Sequence, residues 1–321
     1  MNGQRLIESI AFGSSKRIQE FVDQLSISLS PELMAIDSLK QSLIDDPFIE
    51  LTALSSGSFN AHVNNGDIFK ESILRDFYCG YSRVVAQYNA LASLRSHKAA
   101  PPWDLTTAYY CAFFSAIELL RLHGIFQISF DSVEHEALLS KMHGNSAFLQ
   151  KSQHFTGKIS SCGEEIFFTS NAQKPHQSVW RNIHDTLTSP LAQRYPDWKE
   201  VHTLNLILCG RGNWYKPSDV RNAWNYKRVE FYSDVGRPLI SEFYSLIENS
   251  ASVSSWLERS FSISPSEKAI ASSVAAVCEV FTLAVMSAYS NFSVLSPAKS
   301  NGRRKDLKKR ERRRLRNRNK K

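Results

Sequence analysis

Apolar residues along this chain recur mainly at three- and four-residue spacing, which predicts a protein built chiefly of helices. Leu6, Ile7, Ile10, Ile18, Phe21, Val22 and Leu25 follow that spacing with an interruption near Gly13-Ser14-Ser15, so the pattern predicts one kinked helix or two short ones. Ser30-Pro31-Glu32 offers a cap, a Pro at the first helical position and an acid in the first turn, predicting a second helix to about Ile44 that Asp46-Pro47 stops. FIELTAL then predicts a short extended segment, followed by a Ser/Asn/Gly loop at 55 to 66.

From Asp67 a long run carries Ile68, Ile73, Phe77, Tyr81, Val84, Val85, Tyr88 and Leu91 on one broad face, predicting a long amphipathic helix. Ala100-Pro101-Pro102 breaks it, and Asp104 or Thr106 is the expected cap of a third helix ending at Gly124. That helix is apolar almost all round, as a central bundle helix is. Its mid-helix acid, Glu118, needs a cation such as Arg121, since an unpaired buried carboxylate is strongly unfavourable.

Residues 125 to 216 lose the helical period. Strand-like IFQISF and EEIFFTS alternate with polar loops, and short helices are expected at HEALLSKM and DWKEVHTLNLIL. Pro217-Ser218-Asp219 opens another helix, which Gly236 and Pro238 interrupt before LISEFYSLIEN resumes. Ser264-Pro265-Ser266-Glu267 gives a capping box, and the helix after it runs to about Ser290. AIASSVAAVCEVFTLAVMSAY is long and apolar enough for a membrane span, yet central Glu279 and its many small residues favour a buried core helix.

Charge divides the chain unevenly. Of 39 basic and 31 acidic residues, thirteen and two lie between 303 and 321, which leaves residues 1 to 302 with 26 and 29. The folded part is therefore nearly neutral, and polyanion affinity belongs to the tail through Arg303, Arg304, Lys305, Lys308, Lys309, Arg310, Arg312, Arg313, Arg314, Arg316 and Arg318. With only Leu307 and Leu315 as apolar members, that tail is expected to be disordered when free. Its richness in Arg suits RNA phosphates; a nuclear-import run, an anionic-membrane patch and a solubility tail share the composition.

Five widely spaced cysteines without a CxxC pair read as free thiols of a cytoplasmic protein, and no His/Cys spacing predicts a metal or other cofactor site. The N-terminus interleaves charges with its apolar positions and so lacks a signal peptide's core.

The chemistry worth weighing sits in DVRNAWNYKR, residues 219 to 228. On a helix, Arg221 and Asn225 stand one turn apart, as do Asn222 and Tyr226, with Lys227 and Arg228 beside them. A guanidinium, two amides and a phenol in one patch can bind phosphate and ribose, or can lock a bundle, with Arg221 pairing Glu118 and Trp224 as core.

AYYCAFFSAIELLRLHG (108 to 124) together with DVRNAWNYKR resembles the HEPN superfamily of prokaryotic helical nucleotide-binding and toxin-type proteins. Tyr109, Tyr110, Ala112, Phe113 and Phe114 match its tyrosine-rich helix, and Arg221, Asn225 and Tyr226 match its later Arg motif, with Asn225 replacing an acid. The resemblance covers roughly residues 67 to 124 and 217 to 250 and implies a HEPN-like bundle over 67–296; with the periodicity and composition it gives a mostly α fold with an N-terminal helical segment over 1–66, an irregular α+β insertion at 125–216 and a disordered basic tail over 297–321. It also implies a homodimer that binds RNA or a nucleic-acid-containing partner complex, in antiviral defence or a toxin-antitoxin pair.

Active members of that superfamily are metal-independent ribonucleases in which Arg holds the scissile phosphate and a nearby His moves the proton. Arg221-Asn222 fits, but Tyr226 stands where the His belongs. A ribonuclease reading therefore takes Arg221, Asn222 and Tyr226 as catalytic candidates and needs His184 or His176 folded over Arg221 from the insertion. A pure scaffold or a membrane-anchored effector is the remaining alternative.

Overall fold

The computed structural model describes residues 2–25, 31–54, 57–96, 100–144, 146–149, 154–171 and 175–295. They form a mostly helical protein with one mixed six-stranded sheet. The basic tail lies outside the described residues, as do the side chains of Ile18, Phe21, Val22 and Leu25.

Helix α1 (Asn2–Leu25) runs unbroken through Gly13-Ser14-Ser15, against the expected interruption. Those small residues serve packing instead: Ser14 is buried and its hydroxyl lies 3.0 Å from His123 Nε2, while Ser15 donates to the Phe12 carbonyl. The second helix also starts later than expected. Pro31–Ala35 is only a 3₁₀ turn, and α2 (Leu39–Asp45) begins at Ser38, whose Oγ accepts the Gln41 N–H at 3.1 Å.

After β1 (Ile49–Leu54), the expected loop contains a second strand, β2 (Ser58–Val63). Phe59, Ala61 and Val63 alternate with Asn60 and His62, a two-residue period that the polar composition hid. Helices α3 (Asp67–Ser96) and α4 (Pro101–Leu122) follow as the period predicts. Neither Asp104 nor Thr106 caps α4, because Pro101 and Pro102 occupy its first two positions and Ala100 precedes them. Asp104 is instead fully buried and accepts a short hydrogen bond from the Tyr244 hydroxyl.

The 125–216 segment is regular rather than irregular. It supplies β3 (Ile125–Ser129), α5 (Ser132–Ser140), β4 (Met142–His143), β5 (His154–Ile159) and β6 (Glu165–Ser170), then α6 (Pro175–Ile183), α7 (Ser189–Arg194) and α8 (Lys199–Cys209). Strand order is β3-β5-β6-β2-β1-β4, antiparallel except for β1 with β4, so strands of the N-terminal segment and of this segment share one sheet. On its buried face Phe59 stacks on Phe168 and meets Phe155 edge-on.

The chain closes with α9 (Pro217–Asn222), α10 (Gly236–Leu239), α11 (Ser241–Leu246), α12 (Ser250–Ser260) and α13 (Glu267–Leu295). The last begins two residues after the expected Pro265: Ser266 is the capping side chain, accepting from the Ala269 N–H at 3.2 Å. α13 and α4 form the central helix pair, with Ser115 and Cys111 of α4 both reaching the Thr282 hydroxyl. The apolar window in Glu267–Asn291 meets the length and hydropathy of a membrane span, but 83% of it is buried within the protein. Its Glu279 accepts from the Tyr88 hydroxyl at 2.7 Å and the Glu248 N–H at 2.9 Å.

Candidate functional site

The site is built on α4. Trp103, Thr107, Tyr110, Phe114, Ile117 and Arg121 recur at helical spacing and are the positions of that helix with exposure, so they form its one open stripe. Tyr109, beside the stripe, is buried.

α9 brings Arg221 to this surface. Its guanidinium carbon lies 5.1 Å from the Tyr109 ring centre, 5.5 Å from that of Tyr110 and 5.9 Å from that of Tyr226, a cation among three aromatic rings. Arg221 does not pair with Glu118: Arg121 and Arg83 take that carboxylate. No carboxylate among the described residues forms an ion pair with Arg221, and its Nε is buried without a hydrogen-bond partner.

α9 gives way at Ala223–Lys227 to a π-turn, which widens the helix where the Arg-motif residues fall. Trp224 turns inward, 2% exposed and 4.3 Å from the Phe231 ring, while Tyr226 is 67% exposed. Asn225 accepts from the Tyr232 hydroxyl at 2.8 Å, and Tyr232 lies edge-on to Trp103. Asn222 is half-buried and Lys227 exposed. Arg228 bonds to Glu230 and, at 2.7 Å, to Glu267, so this expected nucleic-acid contact is occupied by carboxylates.

The insertion supplies a histidine, and it is His176 rather than His184. His184 sits in a π-turn with its Nδ1 2.7 Å from Asp185. His176, near the start of α6, stacks on Phe113 at 4.2 Å and places Nδ1 2.7 Å from the Tyr109 hydroxyl. Trp180, one turn later, directs its indole N–H at that same hydroxyl from 3.4 Å. A polar knot of Gln127, Thr156, Asn171 and Ser178 ties α6 to β3 and β5 and so fixes where His176 stands.

Burial pushes the Tyr109 phenol up to about 12, with the Trp180 hydrogen bond and the Arg221 charge pulling the other way. Burial first, and the Arg221 charge second, hold His176 below the usual imidazole range, so it is neutral at pH 7. Trp180 donates to the Tyr109 oxygen, and the contact between that hydroxyl and His176 Nδ1 runs in the direction set by the imidazole tautomer. Among the described residues no three His, Cys, Asp or Glu side chains converge as metal ligands.

The π-turn thus brings Tyr226 beside Arg221, five residues earlier, whereas α-helical spacing set Arg221 with Asn225 and Asn222 with Tyr226; His184 and Arg228 are not brought to Arg221. Trp180 and Arg83 were not apparent from motifs. The spacing of Val179, Trp180 and Ile183 after Pro175 carries the signal for α6, masked by polar neighbours. No family model matches this chain, and neither a curated protein nor a solved structure matches it.

Proposed function

We propose that this chain is a HEPN-like protein that binds RNA, or a partner complex containing RNA, with Arg221 as the ligand of a phosphate. The observation that carries the reading is the half-buried guanidinium of Arg221, held among Tyr109, Tyr110 and Tyr226 with no carboxylate partner among the described residues. A cation placed so is a receptor for an external anion. Neutral His176 adds a second polar group to the site, a donor or an acceptor according to its tautomer. The basic tail would supply nonspecific, salt-dependent affinity. The homodimer and the role in defence or a toxin-antitoxin pair belong to the same proposal and rest on the resemblance, and a cytoplasmic location belongs to it on the strength of the unpaired cysteines.

The position of His176 favours a second reading, metal-independent RNA cleavage. With its hydrogen on Nδ1 the imidazole would take the 2'-hydroxyl proton through Nε2 while Arg221 neutralises the phosphate. The 2'-oxygen would then bond to phosphorus as the bond from phosphorus to the 5'-oxygen breaks, and the imidazolium would return its proton to that departing oxygen, which leaves as a hydroxyl.

One experiment tests both: the salt dependence of RNA binding, with product analysis on a gel in EDTA, for wild type, Arg221→Ala, His176→Ala and a deletion of 303–321. Intact RNA with binding weakened by Arg221→Ala supports the first reading. Cleavage that survives EDTA and vanishes in both point variants supports the second. Binding and RNA integrity indifferent to Arg221→Ala would remove this site from either.

A further inference from the structure

Arg83 stands one turn along the α4 stripe from Arg221. Its guanidinium carbon is 4.1 Å from the Phe114 ring centre, and that ring lies 6.0 Å from the ring of Tyr110, over which Arg221 sits. The two cations come from different helices, α3 and α9, yet each caps an aromatic ring of the same stripe. Arg83 is 47% exposed, and its contact with Glu118, at 3.4 Å, is the looser of that carboxylate's two ion pairs. Most of its donors remain available. Arg83 also lines a cleft of about 460 Å³ with Lys40, Asp76, Arg121 and Gln127, a cleft whose walls do not include Tyr110, Phe114 or Arg221.

We infer that the stripe holds two consecutive phosphates of a single RNA strand, one at Arg221 and the next at Arg83, with Tyr110 and Phe114 as the rings that position the two guanidiniums. This rests on the reading of Arg221 as a phosphate ligand. One helical turn separates the two rings, comparable to the step between neighbouring phosphates of an extended strand. The phosphates of a free nucleotide share a bridging oxygen and lie closer together. Each ring holds its guanidinium in place, so the two cations are presented in fixed positions to successive phosphates of one strand.

Calorimetric titration of the full-length protein tests this with UpU, which has one phosphate, UpUpU, which has two, and ADP. The variants are Arg83→Gln and Arg221→Gln. Glu118 keeps Arg121 in Arg83→Gln, so the fold should hold, and an unchanged melting temperature checks that. Arg83→Gln is expected to weaken UpUpU about tenfold and leave UpU unchanged, while Arg221→Gln weakens both. Should Arg83→Gln lower the melting temperature, Arg83→Lys, which keeps the charge, should retain most of the UpUpU affinity.

Equal losses on UpU and UpUpU in Arg83→Gln would mean that the two arginines share one phosphate, and no loss on either would mean that Arg83 binds none; both overturn the inference. ADP binding as tightly as UpUpU, with the same dependence on Arg83, would replace the strand by a free nucleotide. Loss on UpUpU in Arg83→Gln but none in Arg221→Gln would instead overturn the reading on which the inference depends.

Discussion

Gly80 on α3 and Glu118 on α4 touch so closely that a Cβ at position 80 would overlap the Glu118 carboxylate. Glu118 cannot step aside, because it is fully buried and held by Arg121. Gly80→Ala must therefore push the two helices apart or break the ion pair, at a cost of about 1–3 kcal/mol. Urea denaturation should show this as a lower midpoint with an unchanged slope.

Glu279 invites a similar test within the long apolar helix. Its Oε1 receives the Tyr88 hydroxyl and the Glu248 N–H, so Glu279→Ala orphans two donors and should cost about 3 kcal/mol. Glu279→Gln keeps an accepting oxygen and should cost less. Thermal melting of both variants checks the order.

Tyr109→Phe removes the oxygen that receives the Trp180 N–H and meets His176. The loss should be about 1–2 kcal/mol, since the Trp180 N–H is buried with it. A broadened His176 ring signal in NMR would show the imidazole released from its fixed orientation, and an unchanged signal would count against the phenol's part in holding it.

The Arg221 charge contributes to holding His176 low, so Arg221→Gln should raise its titration midpoint toward the ordinary value of about 6.5. The sign for stability follows. A depressed folded-state value gives stability that is present above the unfolded-state value and lost as pH falls through it toward the folded-state value. Melting curves from about pH 7 downward should therefore fall less steeply in Arg221→Gln than in wild type, and NMR titration of the His176 ring reads the midpoint directly.

Long periodic runs made most of the bundle legible in advance: α3, α4 and α13 lie where their apolar spacing put them, and Glu118 has Arg121. Elements whose stability comes from distant partners were harder to read. β2 presents Asn60 and His62 outward and looks like loop until β1 and β6 pair on either side of it. The Arg221 cluster was half legible, since helical spacing gathered Arg221, Asn222, Asn225 and Tyr226 into one patch while the π-turn that sets Tyr226 beside Arg221 has no clear local signature. His176 could not be chosen over His184 by spacing. Its place depends on the knot of Gln127, Thr156, Asn171 and Ser178, which exists only once the sheet has formed.

The pairing of β2 with β6 also constrains how the chain acquires its shape. During synthesis the β1–β2 hairpin emerges long before β5 and β6, and until then β2 keeps an unpaired edge with Phe59 uncovered. Such non-local closure slows folding and leaves a nascent chain open to wrong pairings. Because α6 is tied to β3 and β5, the placing of His176 against Tyr109 depends on that non-local pairing.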